Sequence, residues 1–115
     1  MKRILLAEKV EQEAQATNPT QLEIEDHAAE MSKKYNVPLE LILRHMWIES
    51  TYVHIKSDGT LNTSSKGAMG LMQLMPKTAS DANINVDAKD WKENIEGGVK
   101  VLQRLIKSYK NKQME

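Results

Sequence analysis

The sequence predicts a mainly α fold, a helical domain carrying one long loop, and three observations lead there. Apolar residues recur at helical spacing in four separate stretches. Helix-start signals precede them, Thr20 three residues before Glu23 and a proline at position 38. Between Tyr52 and Gly70 the periodicity dissolves into Ser57-Asp58-Gly59-Thr60 and Asn62-Thr63-Ser64-Ser65, the composition of a surface loop. A short hairpin inside that loop is the one strand signal. With 115 residues the chain suffices for one hydrophobic core and no separate regulatory module.

The elements follow in order. Ile4, Leu5, Val10 and Ala14 give a weak helical stripe that Thr17-Asn18-Pro19 breaks, so residues 1–19 read as a helical extension and 20–115 as the domain. Thr20 and Glu23 form a capping-box pattern, and Leu22, Ile24, Ala28, Met31 and Tyr35 carry a helix to about Lys34. Pro38 suits a first helical position, after which Leu39, Ile42, Leu43 and Met46 mark one face. Glu49 extends that face, seven residues after Ile42. Pro76 opens a short helix through Ala82, and Ile95, Val99, Leu102, Ile106 and Tyr109 trace a final one. There is no internal repeat.

Composition excludes several classes of function. Sixteen basic residues balance sixteen acidic ones, so no global field gathers polyanions and nucleic acid is not an expected partner. The absence of cysteine removes disulfides, thiolate zinc sites and thiol nucleophiles, and leaves the compartment open. Met1-Lys2-Arg3 resembles a signal-peptide start, but the apolar run Ile4-Leu5-Leu6-Ala7 stops at Glu8, short of the roughly 7–15 residues required. No stretch spans a membrane. A target outside the cytoplasm would then be reached by another route or through a longer parent sequence.

Glu49 and the loop Gly67–Pro76 carry the chemistry. On an apolar stripe near a helix C-terminus, a glutamate turned to the core edge is favoured in its protonated form by burial and by the helix dipole. A protonated carboxyl can donate to a glycosidic oxygen, the general-acid step in sugar cleavage. The competing reading is an exposed, solubilising Glu in a terminal turn. Gly67 and Gly70 allow a ligand close to the main chain, Leu71, Met72, Leu74 and Met75 would give an apolar floor, and Gln73 an amide for sugar substituents. Equally, such a segment is a tight turn entering a core helix, with methionine as gap filler. His45, Glu49 and His54 fall short of a metal signature, and Asp58-x-Thr60-x-Asn62 lacks the glycine and terminal glutamate of a calcium loop. No metal or other cofactor is expected.

The run Ser64-Ser65-Lys66-Gly67-Ala68-Met69-Gly70-Leu71-Met72-Gln73-Leu74-Met75-Pro76-Lys77-Thr78-Ala79, after Glu49-Ser50 and before Asn94-Ile95-Glu96-Gly97-Gly98, resembles the soluble-lytic-transglycosylase (SLT) domain of the lysozyme-like superfamily over about residues 22–109. The resemblance implies a lysozyme-like helical fold that cleaves the β-1,4 bond between N-acetylmuramic acid and N-acetylglucosamine in peptidoglycan, leaving 1,6-anhydro-muramic ends. Glu49 would then be the catalytic acid and afterwards the base. Ser50, Tyr52, Gly70, Leu71, Met72, Gln73 and Asn94 would line or hold the substrate, although Tyr52 reads equally as a packing residue. Glycan strands of the cell wall or periplasm are the implied partner, with a phage or secretion assembly as carrier. The chain departs from the family pattern in two places. Val101 stands where members often have a tyrosine three residues after the glycine matching Gly98, and residues 57–62 are an insertion-like polar excess. A goose-type lysozyme-like hydrolase, with Asp58 recruited as second carboxylate, and a non-catalytic glycan-binding module are the alternatives.

Overall fold

Thr20 starts the first helix as its composition requires. In the computed structural model, which describes residues 18–81, 83 and 90–113, its side chain accepts the Glu23 amide while the Glu23 carboxylate accepts the Thr20 amide, a complete capping box. Helix α1, Gln21–Tyr35, buries Ile24, Ala28 and Met31, and ends at Asn36 in the left-handed conformation. The polar short side chain of asparagine tolerates that geometry, and the Asn36 amide closes onto the Ser32 carbonyl. Only Leu22 of the predicted stripe falls outside, 66% exposed in the first turn.

Helix α2, Leu39–Ser50, follows almost at once, with Pro38 at its N-cap, one place before the predicted position. A short α3, Pro76–Asp81, buries Ala79. Helix α4, Trp91–Gln113, buries Trp91, Asn94, Ile95, Gly97, Gly98, Val99 and Leu102 in its first half. Its second half runs outward, leaving Leu105 and Tyr109 exposed. Helix α1 packs on both α2 and α4. Between them lies a core of Ile24, Met31, Ile42, Met46, Ile95 and Val99, to which the loop adds Leu71 and Met72.

The segment between α2 and α3 contains no strand. The hairpin expected there is reduced to isolated antiparallel bridges, Ile55 with Leu61, Thr63 with Met69, and Met69 with Leu74. The fold is therefore mainly α, as predicted. Residues 1–17 of the expected extension, and Ala82 at the expected end of α3, lie outside the described residues. None of the helices described is long and apolar enough to cross a membrane.

Candidate active site

The exit of α2 sets the geometry. Its buried row runs Ile42, Met46, Ser50, a spacing of four. Glu49, one residue before Ser50, is turned about 100° away around the helix. It is exposed rather than tucked against the core edge, so the burial expected from the Ile42 stripe is absent. The predicted stripe counted seven residues on from Ile42, whereas the packing follows the row at four and eight. Ser50 is the buried one, and its hydroxyl donates to the Met46 carbonyl at 3.0 Å.

Past Ser50 the backbone turns through two left-handed residues, Thr51 at φ 51° and Tyr52 at φ 64°. Neither is glycine, and a β-branched residue there is a conformational outlier that the surrounding contacts must hold. Those contacts are visible. The Thr51 amide donates to the Trp47 carbonyl at 2.9 Å and the Val53 amide to Ser50 at 3.1 Å. The Tyr52 hydroxyl donates to the Leu43 carbonyl at 3.0 Å, and its ring leans on Trp47 with centroids 5.4 Å apart. Trp47 remains 54% exposed.

The loop then folds back three times, and side-chain amides and one imidazole supply what a β-ladder would otherwise give. Asn18 accepts the His54 and Ile55 amides on Oδ1, at 2.6 and 2.8 Å, and donates from Nδ2 to the Ile55 carbonyl at 2.8 Å. Asn62 donates its amide side chain to Val53 and its backbone N–H to the His54 carbonyl, both at 2.8 Å. His54, fully buried, accepts the Leu71 N–H on Nδ1 at 3.2 Å. Asn94 of α4 accepts the Met72 N–H at 2.7 Å and donates to the Met69 carbonyl at 3.0 Å. Gln73, at φ 48°, donates from Nε2 to the Gly70 and Asn62 carbonyls.

The predicted substrate residues thus divide. Leu71 and Met72 are core side chains, 0% and 1% exposed, and only Met75 of the expected apolar floor is open. Asn94 is 3% exposed and holds the loop with both ends of its amide. Gly70 has φ +78°, and a Cβ there would overlap the Asn94 amide and the His54 ring. Glu49, Trp47, Tyr52 and Gln73 keep surface that a ligand can reach. Asn18, Asn62 and His54 were missed as a set. Sequence signalled only a breaker, a polar loop and a weak metal ligand, although a long loop lacking strand alternation must find partners for its buried backbone somewhere.

Two other carboxylates, Asp58 and Glu96, are committed elsewhere. Asp58 accepts both the hydroxyl and the amide of Thr60, at 2.6 and 3.0 Å, which holds its carboxyl below the usual range. Glu96 accepts Lys34 Nζ and the Tyr35 hydroxyl, each at 2.8 Å, and these two donors likewise lower its carboxyl. Val101 packs half-buried against the core. Among the described residues no three His, Cys, Asp or Glu side chains gather as metal ligands. Cavities of about 240 and 380 Å³ at α1 and the start of α4 share His27 and Lys92 in their walls and include none of the predicted site residues.

Comparison with known proteins adds a family to this geometry. Residues 26–115 match the family described as "Transglycosylase SLT domain". Over 78 residues, 68% of the chain, the sequence is 37% identical to a protein of Enterobacteria phage PRD1 named "Transglycosylase". That match covers 27% of the phage protein, so the chain spans little more than a quarter of that relative's length. No solved structure gives a significant match.

Proposed function

The chain belongs to the transglycosylase SLT-domain family, and we propose that it is a peptidoglycan lytic transglycosylase that cuts between N-acetylmuramic acid and N-acetylglucosamine with Glu49 as its single catalytic carboxyl group. The observation carrying this reading is the contrast among carboxylates: Glu49 stands exposed on the last turn of α2 beside the strained turn at Thr51 and Tyr52, while Asp58 and Glu96 are occupied by their own donors.

The chemistry needs one group in two states. Protonated Glu49 gives its proton to the glycosidic oxygen as the bond to the muramoyl anomeric carbon breaks. The resulting carboxylate takes the proton of the muramoyl C6 hydroxyl, whose oxygen attacks that same carbon and closes the 1,6-anhydro ring. No water is consumed, and a second carboxylate, which hydrolysis ordinarily requires, has no task. The free acid is exposed, so the exclusion of water that favours the neutral carboxyl would come from a glycan strand lying over α2's last turn. Trp47 and Tyr52 offer aromatic surface to the apolar face of a sugar, and Gln73 a polar rim. The phage origin of that relative supports a virion as the carrier to the wall.

Digestion of purified peptidoglycan, with the muropeptides resolved by mass spectrometry, tests the reading. Anhydro ends are expected. Reducing ends would replace it with a water-using, goose-type hydrolase, and no release would leave a glycan-binding module. Glu49→Gln should lower cleavage by roughly 10²–10⁴-fold while preserving thermal stability and glycan pull-down. Wild-type rates in that variant would remove Glu49 as the acid.

A further inference from the structure

Among the described residues, His54 is the buried ionisable side chain that the proposed chemistry leaves without a task. Its ring is 0% exposed, five residues beyond Glu49 in the chain. Both sides of it are anchored. On the backbone side, its N–H is held by Asn18 Oδ1 and its carbonyl accepts the Asn62 N–H, while the preceding Val53 amide is bonded to Ser50 at the exit of α2. On the ring side, Nδ1 accepts the Leu71 N–H, which requires the tautomer carrying its proton on Nε2. The Leu71 amide belongs to the turn that Asn94 holds from α4, through Met69 and Met72. Gly70 lies directly against the imidazole, with no space for a Cβ between them.

We propose that His54 is a positioning residue for the lytic reaction, fixing the Gly70–Gln73 turn to the exit of α2 so that Gln73 and the acid Glu49 keep one spacing along the glycan. This rests on the lytic reading above. The physical reason is that neither the segment leaving α2 nor the glycine turn belongs to a sheet: three isolated bridges and a set of side-chain bonds carry the loop, and among these the His54–Leu71 bond joins the segment leaving α2 directly to the glycine turn. Losing the acceptor would leave a buried N–H unsatisfied and allow the turn to move. Misplacement on the scale of an ångström is enough to slow a positioned reaction roughly 10²-fold.

The test uses the full chain and two readouts. His54→Leu removes the acceptor, whereas His54→Asn places a carbonyl oxygen near the Nδ1 position. With His54→Leu, kcat on peptidoglycan should fall at least about tenfold with little change in KM, and His54→Asn should restore most of it. Without glycan, hydrogen exchange of the Leu71 amide should quicken roughly tenfold or more in His54→Leu, while the α1 and α4 amides stay protected. A folded His54→Leu protein with wild-type kcat, or with a Leu71 amide as protected as before, overturns the proposal. Should His54→Leu not fold, Asn18→Ala loosens the same histidine from its backbone side at an exposed position, and unchanged Leu71 exchange there is equally fatal. A wild-type protein that releases no muropeptides sinks the lytic reading, whereas the Leu71 exchange still decides whether His54 holds the turn.

Discussion

Gly98 shows how one residue can oppose its own local preference. A glycine inside α4 weakens the helix by about 0.5–1 kcal/mol relative to alanine. Here a Cβ would overlap the Met72 side chain at its Cβ and Cγ, close to the backbone, where rotation gives little relief. Met72 is itself 1% exposed, so it has no room to retreat. Overpacking of this kind costs about 1–3 kcal/mol, which outweighs the propensity gain. Gly98→Ala should therefore lower stability by about 1–2 kcal/mol in urea unfolding. An equal or more stable variant would mean that Met72 can shift. The sequence displayed Gly97-Gly98 as part of a family-like string, but the reason for the glycine lies in a methionine 26 positions earlier.

At the scale of elements, α1 and α4 are joined by an ion pair whose pH behaviour is set by its geometry. Lys34 and then Tyr35 donate to the same Glu96 oxygen, and together they hold the Glu96 carboxyl below its ordinary value of 4.5. A carboxyl lowered by folding contributes fully above its unfolded value, and that contribution disappears as the pH falls through the lower folded one. Glu96→Gln should accordingly be less stable than wild type near neutrality, with the gap closing as the pH drops below 4.5. Thermal melts of both proteins between about pH 3 and pH 7 measure this; a gap that persists at the acid end would assign the stabilisation to shape and not to charge. Lys34 is more than half exposed, so the difference will be modest. Helices α1 and α2 were legible because each carries its own start signal and a stripe of at least three apolar positions, α3 by its opening proline and α4 by its stripe alone. Glu49's environment was not, since a residue at the edge of a stripe is decided by which row packs, and that depends on the neighbouring helix.

At the scale of the whole molecule, the breaker segment before α1 is tied to the loop that leaves α2. Thr17-Asn18-Pro19 reads as a break, yet Asn18 makes three hydrogen bonds to residues 54 and 55, some 36 positions along the chain. A protein beginning at Thr20 should thus be less stable than one beginning at Asn18, by about 1.5–4.5 kcal/mol for three bonds of the usual net worth. Its melting temperature should fall by roughly 4–8 °C for each kcal/mol. Equal melting temperatures for the two proteins would show the clasp to be incidental.

By itself the sequence determined the helices, the order of the motif blocks and the family they belong to, because periodicity, capping and glycine placement act over a few neighbouring residues. Only the tertiary structure decided that Glu49 faces solvent, that Leu71 and Met72 serve the core, and that Asn18, His54, Asn62 and Asn94 hold a strandless loop in shape. Those outcomes depend on which distant backbone groups need partners, and a hydrogen bond between residues 17 to 37 apart leaves no local pattern to read.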